Sequence, residues 1–272
     1  MMSHFTVAVF SRDGDIHSLL APYSESLEVA PYIYEPREIV EKEFAEIRQV
    51  AEEDSETGER YRSEGVLDMD LKEFVRWYYG ADTDEKGNVL TRYNPKSKWD
   101  WYQVGGRWQG MLLVRKGRSG EVGKPSFLGK AKEEIQPAPE GYMWVDSAQL
   151  KDVEWDMMKE LRKERLRAAW DDAQKAYKEN LEMGEEEKAA AGKIQLLTGV
   201  DVRLGKEEYV EQASSFSTFA VLDEEGEWHE RGNMGWWGMV SNEDEDWDGT
   251  YWDKFIAGAD GELYITIVDC HI

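Results

Sequence analysis

Between residues 94 and 108 the chain reads Asn-Pro-Lys-Ser-Lys-Trp-Asp-Trp-Tyr-Gln-Val-Gly-Gly-Arg-Trp, with cations and large aromatic faces interleaved at short range. Nucleotides are recognised by such pairings: Lys and Arg meet phosphate oxygens, indole or guanidinium planes meet the base, and glycines let backbone N–H groups approach closely. Residues 91–130 carry nine Lys or Arg against Asp100 and Glu121, a local charge of +7 in a chain of net charge −24. Lys96, Lys98 and Arg107 are therefore candidate phosphate ligands, and Trp99, Trp101 and Trp108 candidate walls around a base. The Gly105-Gly106 pair lacks the spacing and the Lys-Ser/Thr of a phosphate loop, so its expected role is a bulge or tight approach beneath Trp108. The plain alternative is an aromatic strand packed on the core, its lysines in water.

A second constellation lies near the two ends. Leu263, Ile265, Ile267, Asp269 and His271 share one face of a strand, because side chains alternate with a period of two, while Cys270 falls on the other face. His4 stands at the mouth of an N-terminal strand, residues 5–10. If the first and last strands are neighbours, His4, Asp269 and His271 meet, either bordering the same ligand cavity or forming an acid–base or metal set. A phosphodiesterase-like hydrolase using these three residues is the enzymatic alternative. Binding without turnover is preferred, since no motif supplies an activated nucleophile or a metal cage; no metal and no cofactor are expected.

The third feature is acidic. Residues 206–262 hold sixteen Asp or Glu against three bases, a charge of −13. Such a surface suits an inhibitor that mimics DNA or docks on a host protein, although acidic runs such as 243–248, without calcium-loop spacing, are ordinarily solvated. Trp236, Trp237, Trp247 and Trp252 are interleaved with these acids and could wall a pocket or fill a core.

Elements to carry these groups are legible from periodicity. Pro36 opens a helix with Val40, Phe44, Ile47 and Ala51 on one face, and Asp70 caps a second from Leu71 to Tyr79, stopped by Gly80. A long helix is expected over about 151–183, its many charges mostly a solvated face, and further strands near 111–114, 143–145, 216–222, 228–231, 234–240 and 263–271. The order predicts an α+β fold, an antiparallel or mixed sheet with helices on one face. It is read as one domain over 1–272, with two loosely related halves, 1–140 and 141–272, in a duplicated ferredoxin-like arrangement as the variant form.

With 272 residues, 41% of them hydrophobic, the chain has apolar mass for a sizeable core. Its acidity argues against direct nucleic-acid binding, a single Cys argues for a reducing compartment, and the lack of a long apolar run argues against a membrane anchor.

Three pieces, the Ser-His-Phe-Thr-Val start, the central Asn-Pro-Lys-Ser-Lys-Trp-Asp-Trp-Tyr with Gly-Gly-Arg-Trp, and the Val-Asp-Cys-His-Ile end, resemble an uncharacterised protein family often encoded by bacteriophages and mobile elements. The resemblance implies an accessory phage protein acting in the host cytoplasm against bacterial immunity, by sequestering or degrading a nucleotide signal or by occupying a host defence protein. The expectation is a protein that binds and sequesters an anionic, nucleotide-like small molecule.

Overall fold

A computed structural model describes residues 3–127, 129–235 and 239–272. The chain divides into two compact units, one made of residues 1–21 with 99–272 and the other of residues 22–98. The division falls at 21/22 and 98/99 rather than at residue 140, so the smaller unit is an insertion within the larger.

The larger unit is built on a mixed sheet whose middle pair comes from opposite ends of the chain. Strand β1 (His4–Ser11) pairs antiparallel with β13 (Tyr264–His271), in a register that sets His4 against His271, Thr6 against Asp269 and Ala8 against Ile267. On the other side of β1, β9 (Ala220–Leu222) runs parallel to it and pairs with β10 (Trp228–Glu230). Beyond β13 lie β4 (Trp101–Gly106) and the short β8 (Ser147–Gln149), and β4 pairs parallel with β6 (Lys124–Pro125). β1 and β13 are buried along nearly their whole length because both of their faces are covered: Val7, Val9, Val268 and Cys270 are fully buried on one side, Ala8, Ile265 and Ile267 on the other. An antiparallel pair, β5 (Leu112–Arg115) with β7 (Tyr142–Val145), adds Leu112, Val114 and Val145 to the second face. A two-stranded ribbon, β11 (Asn233–Met234) with β12 (Val240–Ser241), flanks residues 236–238, so Trp236 and Trp237 lie outside the described residues.

The helices of this unit are α1 (His17–Leu20), α5 (Lys132–Ile135), α6 (Trp155–Glu182), α7 (Glu187–Thr198), α8 (Lys206–Ala213) and α9 (Trp247–Phe255). α9 buries Trp247 and Tyr251 against the face carrying Ala8, Phe10 and Ile267, and Trp155 and Met158 of α6 pack against the same cluster. The far half of α6 instead forms a small core of its own with α7, around Ala173, Ala191 and Ile194.

The smaller unit pairs β2 (Tyr32–Glu35) with β3 (Val89–Thr91) and contains α2 (Arg37–Glu52), α3 (Glu56–Ser63) and α4 (Leu71–Tyr78). Its core is Val40, Phe44, Val66, Phe74, Val75 and Val89. The helix starts follow the sequence: Pro36 precedes α2, and Asp70 and Glu73 exchange side-chain and backbone hydrogen bonds in a capping box at α4. α2 ends where the acidic run 52–59 begins, and Ser55 within that run caps α3, its side chain accepting the Gly58 N–H.

The fold is thus α+β, and the element order of 1–140 does not recur in 141–272 among the described residues, so the ferredoxin-like duplication is absent there. No described helix is long and apolar enough to cross a membrane.

Candidate functional site

A cavity of about 600 Å³ opens in the larger unit beside the first three turns of α6, the turn after β4 and the segment joining α8 to β9. Four indoles, Trp108, Trp144, Trp155 and Trp252, line it together with Phe216. Four cations do so as well: Lys132, Lys159, Arg162 and Arg165. Hydroxyls of Thr6, Ser214, Ser215 and Ser217 and one carboxylate, that of the exposed Asp156, complete the polar lining.

The α6 contribution follows from helical spacing. Residues 155, 158, 162 and 165 are separated by three, four and three positions and form one stripe, apolar at its start and cationic further along. Lys159 at the edge of this stripe is neutralised by Glu211 at 3.1 Å. Among the described residues, neither Lys132, Arg162 nor Arg165 forms an ion pair, and all three are held below their ordinary pKa chiefly by burial. Arg165 adds like-charge repulsion on Arg162, and both guanidinium groups do so on Lys132; Asp248 opposes the effect at Arg162 and Asp146 at Lys132. Lys132 and Arg162 are partly buried and feel the charge of the more exposed Arg165, an arrangement that attracts an anion.

Neighbouring contacts hold the lining in place. Lys132 Nζ lies 5.3 Å from the Trp144 ring centroid, and Trp144 Nε1 donates to Gln136 O at 2.8 Å. Phe219 N–H donates to Thr6 Oγ1 at 3.0 Å and Trp247 Nε1 to Thr218 O at 2.7 Å, which pins the 214–219 segment against β1 and α9. Ser217 Oγ donates to Asp248 Oδ1 at 2.6 Å.

The turn carrying Trp108 is tied down by two buried carboxylates. Asp269 accepts the Arg107 N–H at 2.9 Å, and Asp146 accepts those of Gly110 at 2.6 Å and Gly123 at 2.8 Å. Gly106 has φ +56°, and a Cβ there would collide with the Asp269 carboxylate, so this approach requires glycine. Burial pushes the Asp146 carboxyl up to about 6, opposed by the two amides and by the charge of Lys132.

Of the residues proposed from sequence, Trp108 lines the cavity. Arg107 uses its backbone N–H on Asp269 while its side chain is exposed. Lys96 is exposed and Lys98 partly buried, and both belong to the smaller unit, so the 94–108 segment is shared between the two units. Trp99 is a core residue of the larger unit, donating from Nε1 to Leu20 O at 3.2 Å.

His4, His271 and Trp101 come together at one end of β1, β13 and β4. His4 Nδ1 lies 2.7 Å from Asp269 Oδ1 and His271 Nδ1 lies 2.6 Å from Asp100 Oδ1. Because carboxylates accept, each Nδ1 carries the proton. The two imidazole centroids are 5.0 Å apart, and Trp101 stacks on His271 at 5.6 Å. His271 is buried and its Nε2 has no hydrogen-bond partner among the described residues. Cys270, on the opposite face, is buried, and burial with the nearby Asp269 and Asp100 raises its pKa well above the ordinary thiol range. No group of three or more His, Cys, Asp or Glu among the described residues could hold a metal ion.

Sequence reasoning passed over Arg162, Arg165, Lys132 and the Ser-Ser-Phe-Ser segment at 214–217. The usable signal was in α6, where Trp155 and Met158 continue at helical spacing into two arginines. The acidic stretch is not a bare surface: Glu207 pairs with Arg167, Glu211 with Lys163, and Glu243 and Asp248 with Arg231.

No family model, no curated protein and no solved structure matches this chain.

Proposed function

We propose that the protein binds an anionic, nucleotide-like small molecule in the cavity beside α6 and holds it without turnover. The observation that carries this reading is the pair of partly buried cations Lys132 and Arg162, with the more exposed Arg165 beside them and no ion pair to any of the three among the described residues, in a cavity walled by four indoles. Cations of that kind are costly in the empty protein and are repaid by phosphate, while the indoles accept a base of any identity. In the setting that the phage resemblance implies, the bound molecule is a host nucleotide signal, and its removal in the host cytoplasm counters a defence response.

Calorimetry with a panel of nucleotides tests the reading. Arg162→Ala is expected to weaken binding by about 1.5 to 3 kcal/mol, the scale of a hydrogen bond to a charged group, whereas Arg107→Ala leaves it nearly unchanged. Absence of binding across the panel, or equal losses in both variants, would count against the cavity.

The hydrolytic reading has one observation in its favour, the buried Nε2 of His271, unpartnered among the described residues and beside His4. Bound nucleotide is nonetheless expected to be recovered intact after heat denaturation. A cleaved product that disappears in His271→Ala would establish the hydrolase instead.

A further inference from the structure

We infer that the ligand is an elongated polyanion, a nucleoside di- or triphosphate, whose base rests at the Trp155 end of the cavity and whose terminal phosphates reach Arg162, Arg165 and Lys132. This inference rests on the proposed function and names the ligand class of the same cavity. Its ruler is α6. A helix rises about 1.5 Å per residue, so Arg162 and Arg165 lie roughly 10 and 15 Å along the axis from Trp155.

The two ends differ in kind. At the Trp155 end the surfaces are aromatic: Trp155 meets Trp252 edge to face with centroids 5.3 Å apart and Phe216 at 5.1 Å. Trp252 remains 40% exposed, with ring surface open to a ligand. At the other end Trp144 already lies beneath the Lys132 ammonium, which leaves that ring a support for charge rather than an open platform. A base therefore finds its stacking surface several ångströms from the cations. The phosphate of a monophosphate, or of a cyclic monophosphate folded back on its ribose, stays close to the sugar. A chain of two or three phosphates spans the interval and delivers its most highly charged end to Lys132, Arg162 and Arg165.

The charge balance agrees. Lys132, Arg162 and Arg165 form no ion pair among the described residues; Arg165 depresses Arg162, and both depress Lys132. Three cations are matched by the three or more negative charges of a di- or triphosphate, whereas a cyclic monophosphate brings about one and a monophosphate about two.

Calorimetry on the intact protein in metal-free buffer, with AMP, cyclic AMP, ADP, ATP and inorganic tripolyphosphate, tests the inference. Affinity is expected to rise at least tenfold from AMP to ATP. Arg165→Ala should weaken ATP at least tenfold and AMP less than twofold, and Trp252→Ala should weaken ATP but not tripolyphosphate. AMP or cyclic AMP binding as tightly as ATP, or Arg165→Ala weakening AMP as much as ATP, would overturn the elongated ligand while leaving nucleotide binding intact. Tripolyphosphate binding as tightly as ATP would remove the base from the inference. Failure of every compound to bind would instead remove the proposed function on which it rests. Circular dichroism of both variants separates loss of fold from loss of contact.

Discussion

Asp146 shows how one buried carboxylate supports the site and leaves a mark on stability. It holds the amides of Gly110 and Gly123, next to the turn that presents Trp108, at the expense of an ionised group with its pKa raised to about 6. An unfolded aspartate titrates near 4, so between about pH 4 and 6 the unfolded chain releases its proton first, and this group's contribution to stability falls as pH rises. The stability of the wild type relative to Asp146→Asn is therefore expected to drop by no more than about 3 kcal/mol between pH 4 and 7, measured by urea denaturation at each pH. A difference that is flat in pH would mean that Asp146 is ionised with no penalty. Gly106 gives a second test: Gly106→Ala meets the Asp269 carboxylate and a left-handed backbone together, and should destabilise the protein by at least about 2 kcal/mol. At Lys132, whose pKa is lowered by burial, Arg165 and Arg162 against the pull of Asp146, a bound phosphate would restore the charge. Binding in alkaline buffer, below the ordinary lysine range, should therefore take up protons, seen as a dependence of the calorimetric heat on buffer ionisation that Lys132→Met abolishes.

The element that matters most is α6, and it trades stability for binding. Arg162 is partly buried, faces Arg165 and lacks an ion pair among the described residues, so Arg162→Met should raise the stability of the ligand-free protein by about 1 kcal/mol while weakening nucleotide binding. Thermal melts with and without ATP would show the two effects with opposite sign, and a variant that is less stable without ligand would contradict the desolvated-cation account. Sequence pattern found this helix to within a few residues at either end, as it found β1, β13, α2 and α4, because apolar periodicity and caps are local signals. It did not find the stripe of 155, 158, 162 and 165 as a site. A surface arginine and a cavity arginine look alike until the packing of Trp155 and Met158 on the sheet fixes which side of the helix is covered. The charge inversion at 91–130 pointed to Trp108 through local composition, yet Lys132 and the 214–217 serines reach the cavity only by long-range contacts that spacing cannot reveal.

At the scale of the whole molecule, residues 22–98 carry their own apolar core and leave the larger unit at neighbouring points, since Trp99 Nε1 reaches Leu20 O. Replacing 22–98 with a short flexible linker should therefore leave a folded protein that binds ATP within about threefold of the full chain, since insertions at closely spaced ends are well tolerated. Loss of cooperative melting would show that the larger unit depends on the insertion.

The pairing of β1 with β13 also sets a timetable for the ribosome. β13 lies between β1 on one side and β4 with β8 on the other, and of the strands in that sheet it is synthesised last. A nascent chain that has not reached residue 264 holds the two flanks of the sheet with nothing between them, exposing hydrogen-bonding edges and apolar faces to chaperones or to other chains. The insertion, complete by residue 98, can collapse onto its own core long before then. A chain cut short before residue 264 would thus be left as a folded insertion on an open and aggregation-prone scaffold.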